Sequence, residues 1–251
     1  GSYLMTFLFI IVGKFYNDEK KTLSIILFLI FFISVLITGE RSVSFKILFS
    51  IFLITFFVIN KPKLRIFFLI SSIFLILFAL STEKLNSRYI STFKSIEQNF
   101  DNRGFYHGIL DTKYINQSLF SYEILKQNYF FGVGTKNYLK ACSELKEKSD
   151  KEIIRKKVLN CFTHPHQFYY EFISEHGSLG TIIILTLIVM LFLNDINKGM
   201  DKEKKRKIFM FKIYIIVSLL PIIPTGSFFS SLQLFQFFIN YGFYQIYLLK
   251  K

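Results

Sequence analysis

The stretch "TLSIILFLIFFISVLIT", residues 22–38, contains seventeen residues and no charged side chain. A helix needs about 17 to 25 predominantly apolar residues to cross the hydrocarbon core of a bilayer. The stretch also lacks the apolar and polar alternation that would mark a half-buried helix or strand of a soluble domain. It therefore predicts a membrane-spanning helix, and it sets the fold class because similar runs recur along the chain.

The whole chain has the composition of a polytopic membrane protein, since 52% of its 251 residues are hydrophobic and 33 are phenylalanine. We predict an all-α polytopic membrane protein with about seven transmembrane helices. The apolar runs that support this prediction are 22–38, 42–59, 64–80, 178–194, 208–226 and 229–249, with a shorter run at 3–16.

These runs divide the chain into three predicted parts. Residues 1–80 hold four membrane helices, residues 81–176 form a mostly helical exterior domain, and residues 177–251 hold three more membrane helices. The first helix looks truncated, because the chain begins inside an apolar segment without an initiator methionine. We therefore expect the natural protein to extend further at its N-terminus.

The short loops that flank the apolar runs carry much of the net charge of +14. The positive-inside rule places such loops in the cytoplasm, which puts 81–176 on the opposite side of the membrane. Nucleic acid is an improbable partner because the basic residues form no continuous stripe. The basic positions are Lys14, Lys20, Lys21, Lys61, Lys63, Arg65, residues 197–207, Lys250 and Lys251.

Two cysteines, Cys142 and Cys161, lie in the predicted exterior domain. In an oxidising compartment they can form a disulfide, and the alternative is two unrelated free thiols. Spacing alone does not fix the geometry that a disulfide requires, so the sequence leaves both possibilities open.

The segment "THPHQFYYEFISEHGSLGT", residues 163–181, holds three of the four histidines. Thr163 is a plausible N-cap, and Pro165 is tolerated in a first helical turn. His166 is then expected in the first turn, where the positive end of the helix dipole disfavours the imidazolium form. A neutral imidazole suits a general base.

The helix that starts beside His166 is expected to continue until Gly177 and Gly180 interrupt it. Tyr169 and Tyr170 lie three and four residues after His166, so they share its face and could shape a pocket.

A metal site is the second interpretation of this segment, with His164 and His166 as ligands and His107 or His176 as further ligands. Zinc normally takes three or four ligands. An H-P-H triplet places its two rings awkwardly, and His176 lies nearly three helical turns beyond His166. We therefore favour no metal; a third interpretation is interfacial histidines without chemistry.

Two arginines fall on the same predicted side of the membrane, Arg103 in "NFDNRGFYHGIL" and Arg41 in "LITGERSVSF". Arginine beside apolar spans is costly unless it has an anionic partner or lines a wet cavity. Arg41 could instead pair with Glu40 or reach lipid headgroups. Because a guanidinium donates two parallel hydrogen bonds to phosphate, two arginines and a neutral histidine suit an enzyme that holds a diphosphate and activates a hydroxyl.

The chain resembles the superfamily of O-antigen ligases and O-antigen polymerases (Wzy-type), which are bacterial membrane glycosyltransferases. Its ligases carry a His, then Asn, Ser or Gln, nine residues, G-x-x-G and a Gly, Thr or Tyr, and His166 to Thr181 are similar to that pattern. The exterior loop of the family tends to have an Arg, a short gap, a Trp and later P-x-x-G-x-G-x-x-x-[FY]; here Tyr106 takes the place of the Trp and Asn128 that of the proline. "NRGFY" at 102–106 and "NYFFGVGTKNYL" at 128–139 are similar to these pieces. "TGERSVSF" at 38–45 and "PIIPTGSFF" at 221–229 are further points of likeness.

The resemblance implies a GT-C-like fold in the bacterial inner membrane with the main loop periplasmic. It implies transfer of a glycan from undecaprenyl diphosphate to lipid A core or to a growing glycan, without metal or other cofactor. Arg103 and Arg41 would hold the donor diphosphate, and His166 would activate or orient the acceptor hydroxyl. The candidate substrate-binding residues are Gln167, Tyr169, Tyr170, Tyr106 and His164.

The sequence is also compatible with other functions. Within the superfamily the acceptor distinguishes a ligase from a polymerase or a protein-glycosylating enzyme. The shape of the loops determines which acceptor is used. A glycolipid transporter or flippase would place charges or broken helices near the bilayer midplane, where only Lys46 and Lys212 are visible. A non-enzymatic receptor or scaffold would leave the placement of His166 and the arginines unexplained.

Overall fold

The computed structural model describes residues 2–16, 20–90, 113–148, 161–193, 200–221 and 223–249. Helices connected by short loops make up these residues, and no strand occurs among them. The predicted all-α class is therefore confirmed for the described part of the chain.

The helices are numbered in chain order, and a further short helical stretch covers residues 83–90. Helix α3 continues into a π-helical turn, Ile54–Val58. The bounds are α1 Ser2–Phe15, α2 Lys21–Thr38, α3 Arg41–Leu53, α4 Pro62–Ser81, α5 Lys113–Gln127, α6 Tyr138–Lys148, α7 Phe168–Leu193, α8 Lys202–Ser218 and α9 Ser231–Leu249.

Four helices in the described residues are long and apolar enough to cross a membrane, namely α2, α3 with its π-helical turn, α4 and α7. They coincide with four of the predicted runs. Helix α4 exposes Ile66, Ile70, Phe74 and Leu77 at helical spacing, as expected for a helix that contacts lipid. The count of seven spans and the orientation in the membrane stay predictions.

The chain divides into two compact units. The first unit comprises the described residues of Gly1–Phe93, Asp195–Ile223 and Leu234–Lys251. Aromatic rings contribute to its core, where Phe28 packs edge-on against Phe9 and Phe68 at centroid distances of 6.3 and 5.4 Å. Phe9 also contacts Tyr214 of α8 at 6.1 Å.

The second unit comprises the described residues of Lys94–Asn194 and Pro224–Gln233. Its small core lies between α5 and α6 and consists of Phe120, Ile124, Tyr138, Cys142 and Leu145. The buried hydroxyl of Tyr138 donates to Gln117 Oε1 at 2.6 Å. The predicted division at residues 81 and 177 stays a prediction.

A disulfide joins Cys142 on α6 to Cys161, which answers the question that the spacing of the cysteines left open. Cys161 packs against the core that contains Cys142. The bond attaches the segment that leads to His166, five residues further on, to the α5–α6 core.

Candidate functional site

The helix that carries the histidine motif begins later than predicted. Helix α7 starts at Phe168, and the side-chain oxygen of Gln167 accepts hydrogen bonds from the amides of Tyr169 at 2.7 Å and Tyr170 at 3.3 Å. Gln167 is therefore the N-cap, and the predicted N-cap at Thr163 is wrong. The Thr163 hydroxyl lies 3.1 Å from His164 Nδ1 instead. His166 precedes the cap by one residue, so its predicted place in the first turn is also wrong.

The backbone of His166 adopts a left-handed conformation, with φ of 54°. This conformation costs a residue with a side chain about 1–2 kcal/mol, and such residues are concentrated at functional sites. A distant segment holds it in place, because the amide of Thr225 donates to the carbonyl of His166 at 2.7 Å. The ring lies between two aromatic neighbours, 5.0 Å from Phe162 and 4.5 Å from His164.

The pKa of His164 is lowered, first by burial of its ring and second by the nearby His166. Both causes disfavour a positive charge, so His164 is neutral at physiological pH.

The loop 128–137 is hydrogen-bonded to α7 at the kink that Gly177 makes. Gly177 has φ of 66° and ψ of −170° and interrupts α7, as predicted, whereas Gly180 stays within the helix and does not interrupt it. The loop pairs with the backbone on both sides of the kink. The bonds are Val133 N to Ser174 O at 3.0 Å, Gly134 N to Glu175 O at 2.8 Å, Ser178 N to Tyr129 O at 2.8 Å and Leu179 N to Phe130 O at 3.3 Å.

The two backbones approach so closely that neither Gly132 nor Gly177 has room for a side chain. A Cβ on Gly132 would lie 2.4 Å from the carbonyl carbon of Glu175, and a Cβ on Gly177 would lie 2.4 Å from the oxygen of Phe130. Both glycines also have positive φ. The G-x-G loop and the G-x-x-G segment, separate in the sequence, are therefore two halves of one contact.

Two buried glutamates on α7, Glu171 and Glu175, are site residues that the sequence reasoning missed. Their exposed fractions are 2% and 1%. Glu175 accepts a hydrogen bond from the amide of Lys136 at 2.9 Å. Glu171 accepts from the hydroxyl of Ser227 and, at 2.7 Å, from the amide of Phe228. A buried carboxylate needs such partners. Two glutamates one turn apart, just before an apolar run, were the sequence pattern that could have identified these site residues.

Aromatic packing reinforces the contact between α7 and residues 224–230. Phe228 lies 5.9 Å from Phe168 and 5.1 Å from Phe172, measured between ring centroids. Phe229 lies 5.7 Å from Phe172 and 4.7 Å from His176. The "PTGSFF" segment thus contacts the start of α7 and His166 through backbone hydrogen bonds, through its bonds to the Glu171 carboxylate and through ring packing.

The predicted site residues lie in different parts of the structure, and some of them lie outside the described residues. His164, His166, Gln167, Tyr169 and Tyr170 lie together at the start of α7 in the second unit. Arg41 is the exposed first residue of α3 in the first unit. Arg103, Tyr106 and His107 lie outside the described residues. Within the described ranges no group of three or more His, Cys, Asp or Glu side chains is arranged to hold a metal ion.

Glu171→Gln is expected to loosen the segment that holds His166. In glutamine an NH2 group replaces one of the two carboxylate oxygens and the negative charge is lost, so one of the two hydrogen bonds must be lost or reversed; a hydrogen bond to a charged group is worth about 1.5–3 kcal/mol. We expect a lower melting temperature of the purified protein in detergent. Glu123→Gln is the matched control, because its ion pair with Lys126 is at the surface and worth at most about 1 kcal/mol. Equal melting temperatures for the two variants would contradict this role of Glu171.

The comparison with known families gives one match. The family model described as O-Antigen ligase matches residues 26–185, which is more than half of the chain. The matched range begins within α2 and ends within α7, so it includes His166 and the kink at Gly177. Neither the search of curated proteins nor that of solved structures gives a match.

Proposed function

Because the chain belongs to the O-antigen ligase family, we propose that it transfers a glycan from undecaprenyl diphosphate to an acceptor hydroxyl at the periplasmic face of the bacterial inner membrane. The observation that carries the proposal is the fixed, left-handed conformation of His166 at the cap of α7. Residues in sparsely populated backbone conformations cluster at functional sites, and here the residue is a histidine, whose imidazole can act as a general base.

His166 is the general base in this proposal. Its imidazole takes the proton of the acceptor hydroxyl while that oxygen bonds to the anomeric carbon of the donor sugar. The bond from the anomeric carbon to the diphosphate oxygen breaks, and polyprenyl diphosphate leaves with the electron pair. A diphosphate is a good leaving group, so positioning, one base and charge neutralisation suffice.

Arg41 and Arg103 neutralise the leaving diphosphate. Support for Arg41 comes from the turn that carries it, which Arg88 braces within the first unit. Arg88 Nη1 donates to the carbonyl of Thr38 at 3.3 Å, and its side chain lies so close to Gly39 that a Cβ there would be 2.9 Å from Arg88 Cδ. Gly39, with φ of 66°, ends α2 in the left-handed conformation typical of a C-cap. The next residues start α3, so Arg41 stands at a braced helix–helix turn.

Deletion of the gene tests the proposed function and separates its forms. A ligase predicts core that lacks polymer together with long lipid-linked polymer, whereas a polymerase predicts core that bears a single repeat unit. Lipid-linked glycan retained on the cytoplasmic side would indicate a transporter and contradict the proposal. Unchanged glycolipids would contradict it as well.

Transfer is expected to survive treatment with EDTA, because the arginines supply the positive charge that magnesium supplies in other transferases. The measurement is transfer by membranes that contain the full-length protein, before and after chelation. Loss of transfer that zinc restores would contradict this prediction and would favour the alternative in which His164 and His166 are metal ligands.

A further inference from the structure

Three consecutive aromatic residues of the second unit, Tyr129, Phe130 and Phe131, are exposed, and we refer to them as the aromatic loop. Their exposed fractions are 56%, 62% and 77%, and Phe131 is the most exposed large hydrophobic residue in the described part of the chain. Burial of one such side chain is worth about 1.5–3 kcal/mol. An exposed run of three therefore indicates a surface that is covered in the working protein.

The backbone of the aromatic loop is fixed at one level of α7. The carbonyl of Tyr129 accepts from the amide of Ser178 at 2.8 Å and from its hydroxyl at 2.9 Å. The carbonyl of Phe130 accepts from the amide of Leu179 at 3.3 Å. Because Gly132 packs directly on the kink, the aromatic loop has little freedom to move along the helix.

That level is the boundary between two chemically different halves of α7. Before the kink, α7 carries the buried carboxylates Glu171 and Glu175. After it, the helix has no charged residue up to Leu193. The described part of this half would span about 24 Å at 1.5 Å per residue, most of the roughly 30 Å thickness of the hydrocarbon core. Its exposed apolar side chains include Leu179, Ile182, Ile183, Leu187, Val189, Met190 and Leu193.

We propose that the aromatic loop inserts into the interfacial layer of the bilayer at the outer end of the apolar half of α7. Aromatic side chains are favoured at this depth, where the rings leave water and a tyrosine hydroxyl stays hydrated. Phe130 and Phe131 are exposed at the level where the exposed apolar side chains of α7 begin, so a bilayer that surrounds this half of α7 would also reach the aromatic loop. The insertion fixes the depth of the kink, and it does not depend on whether the chain transfers a glycan.

The absence of tryptophan from the chain allows a direct test by single-tryptophan fluorescence in liposomes. Phe131→Trp reports on the aromatic loop, and Phe130→Trp is a second reporter in case the first variant does not fold. Tyr122→Trp is the reference for water, because Tyr122 is exposed on α5. Ile183→Trp is the reference for the hydrocarbon core.

Phe131→Trp is expected to be quenched by phospholipids brominated near the headgroup end of the acyl chain, and more weakly by lipids brominated deeper. Ile183→Trp should show a greater share of quenching by the deeper bromines. Acrylamide in the aqueous phase should quench Phe131→Trp several-fold less than Tyr122→Trp. Acrylamide quenching equal to that of Tyr122→Trp would place the aromatic loop in water. Protection from both acrylamide and brominated lipid would indicate a protein partner, and either result overturns the proposal.

Discussion

Gly177→Ala is expected to abolish glycan transfer and to destabilise the second unit. A methyl group there would meet the oxygen of Phe130 at 2.4 Å and the amide nitrogen of Gly132 at 2.6 Å. The backbone, with φ of 66° and ψ of −170°, is also in a region that only glycine adopts readily, which adds about 1–3 kcal/mol. The measurements are transfer in cells and the melting temperature of the purified protein.

The second glycine of the contact gives a sharper form of this prediction. Gly132→Ala should have a similar effect, and the double variant should lose less than the sum of the two, because both changes break one contact. Gly242→Ala is the matched control, since its Cβ would meet nothing within 4 Å. Alanine is the better helix former there by about 1 kcal/mol. The contact would be unimportant if Gly177→Ala behaved like Gly242→Ala.

His166→Asn is expected to reduce transfer by about 10²–10⁴-fold, the range for loss of a general acid or base, with the fold retained. Asparagine tolerates positive φ better than most residues, so this variant removes the imidazole and keeps the backbone conformation. The measurement is the initial rate of transfer at equal protein amounts.

Lys136→Asn controls for the asparagine itself, because Lys136 is exposed and also has positive φ, 63°. It should transfer at the wild-type rate. A wild-type rate for His166→Asn would remove His166 from the mechanism.

The membrane helices could be predicted from sequence because a long uncharged run has few alternatives. The runs 22–38, 42–59 and 64–80 correspond to α2, α3 with its π-helical turn, and α4. For 178–194 the prediction found the apolar half of α7, and Gly177 marks its start. Each of these helices could be predicted from the composition of its own segment alone.

The predicted start of α7 was wrong because a hydrogen bond from a distant part of the chain determines where the helix begins. Threonine is a better N-cap than glutamine by preference, and Thr163 has the expected spacing. The amide of Thr225, 59 positions after His166, instead bonds the His166 carbonyl, and His166 takes the left-handed conformation. The helix can then begin only after it, and Gln167 is the next side chain able to cap.

The glutamates and the glycine contact were missed for the same reason. Glu171 has its partners 56 and 57 positions away, at Ser227 and Phe228. Gly132 and Gly177 are 45 positions apart and meet only when the second unit has folded. Each motif was visible in the sequence, but the sequence does not show which motifs touch.

Transfer by the purified full-length protein in liposomes tests the central claim most directly. The donor is an undecaprenyl-diphosphate-linked glycan, and both lipid A core and a second glycan are offered as acceptors. We predict that the wild-type protein extends one acceptor and releases undecaprenyl diphosphate in equal amount, and that His166→Asn does so at least about 100-fold more slowly. Failure of the folded wild-type protein to extend either acceptor, or equal rates for the two proteins, would contradict the claim.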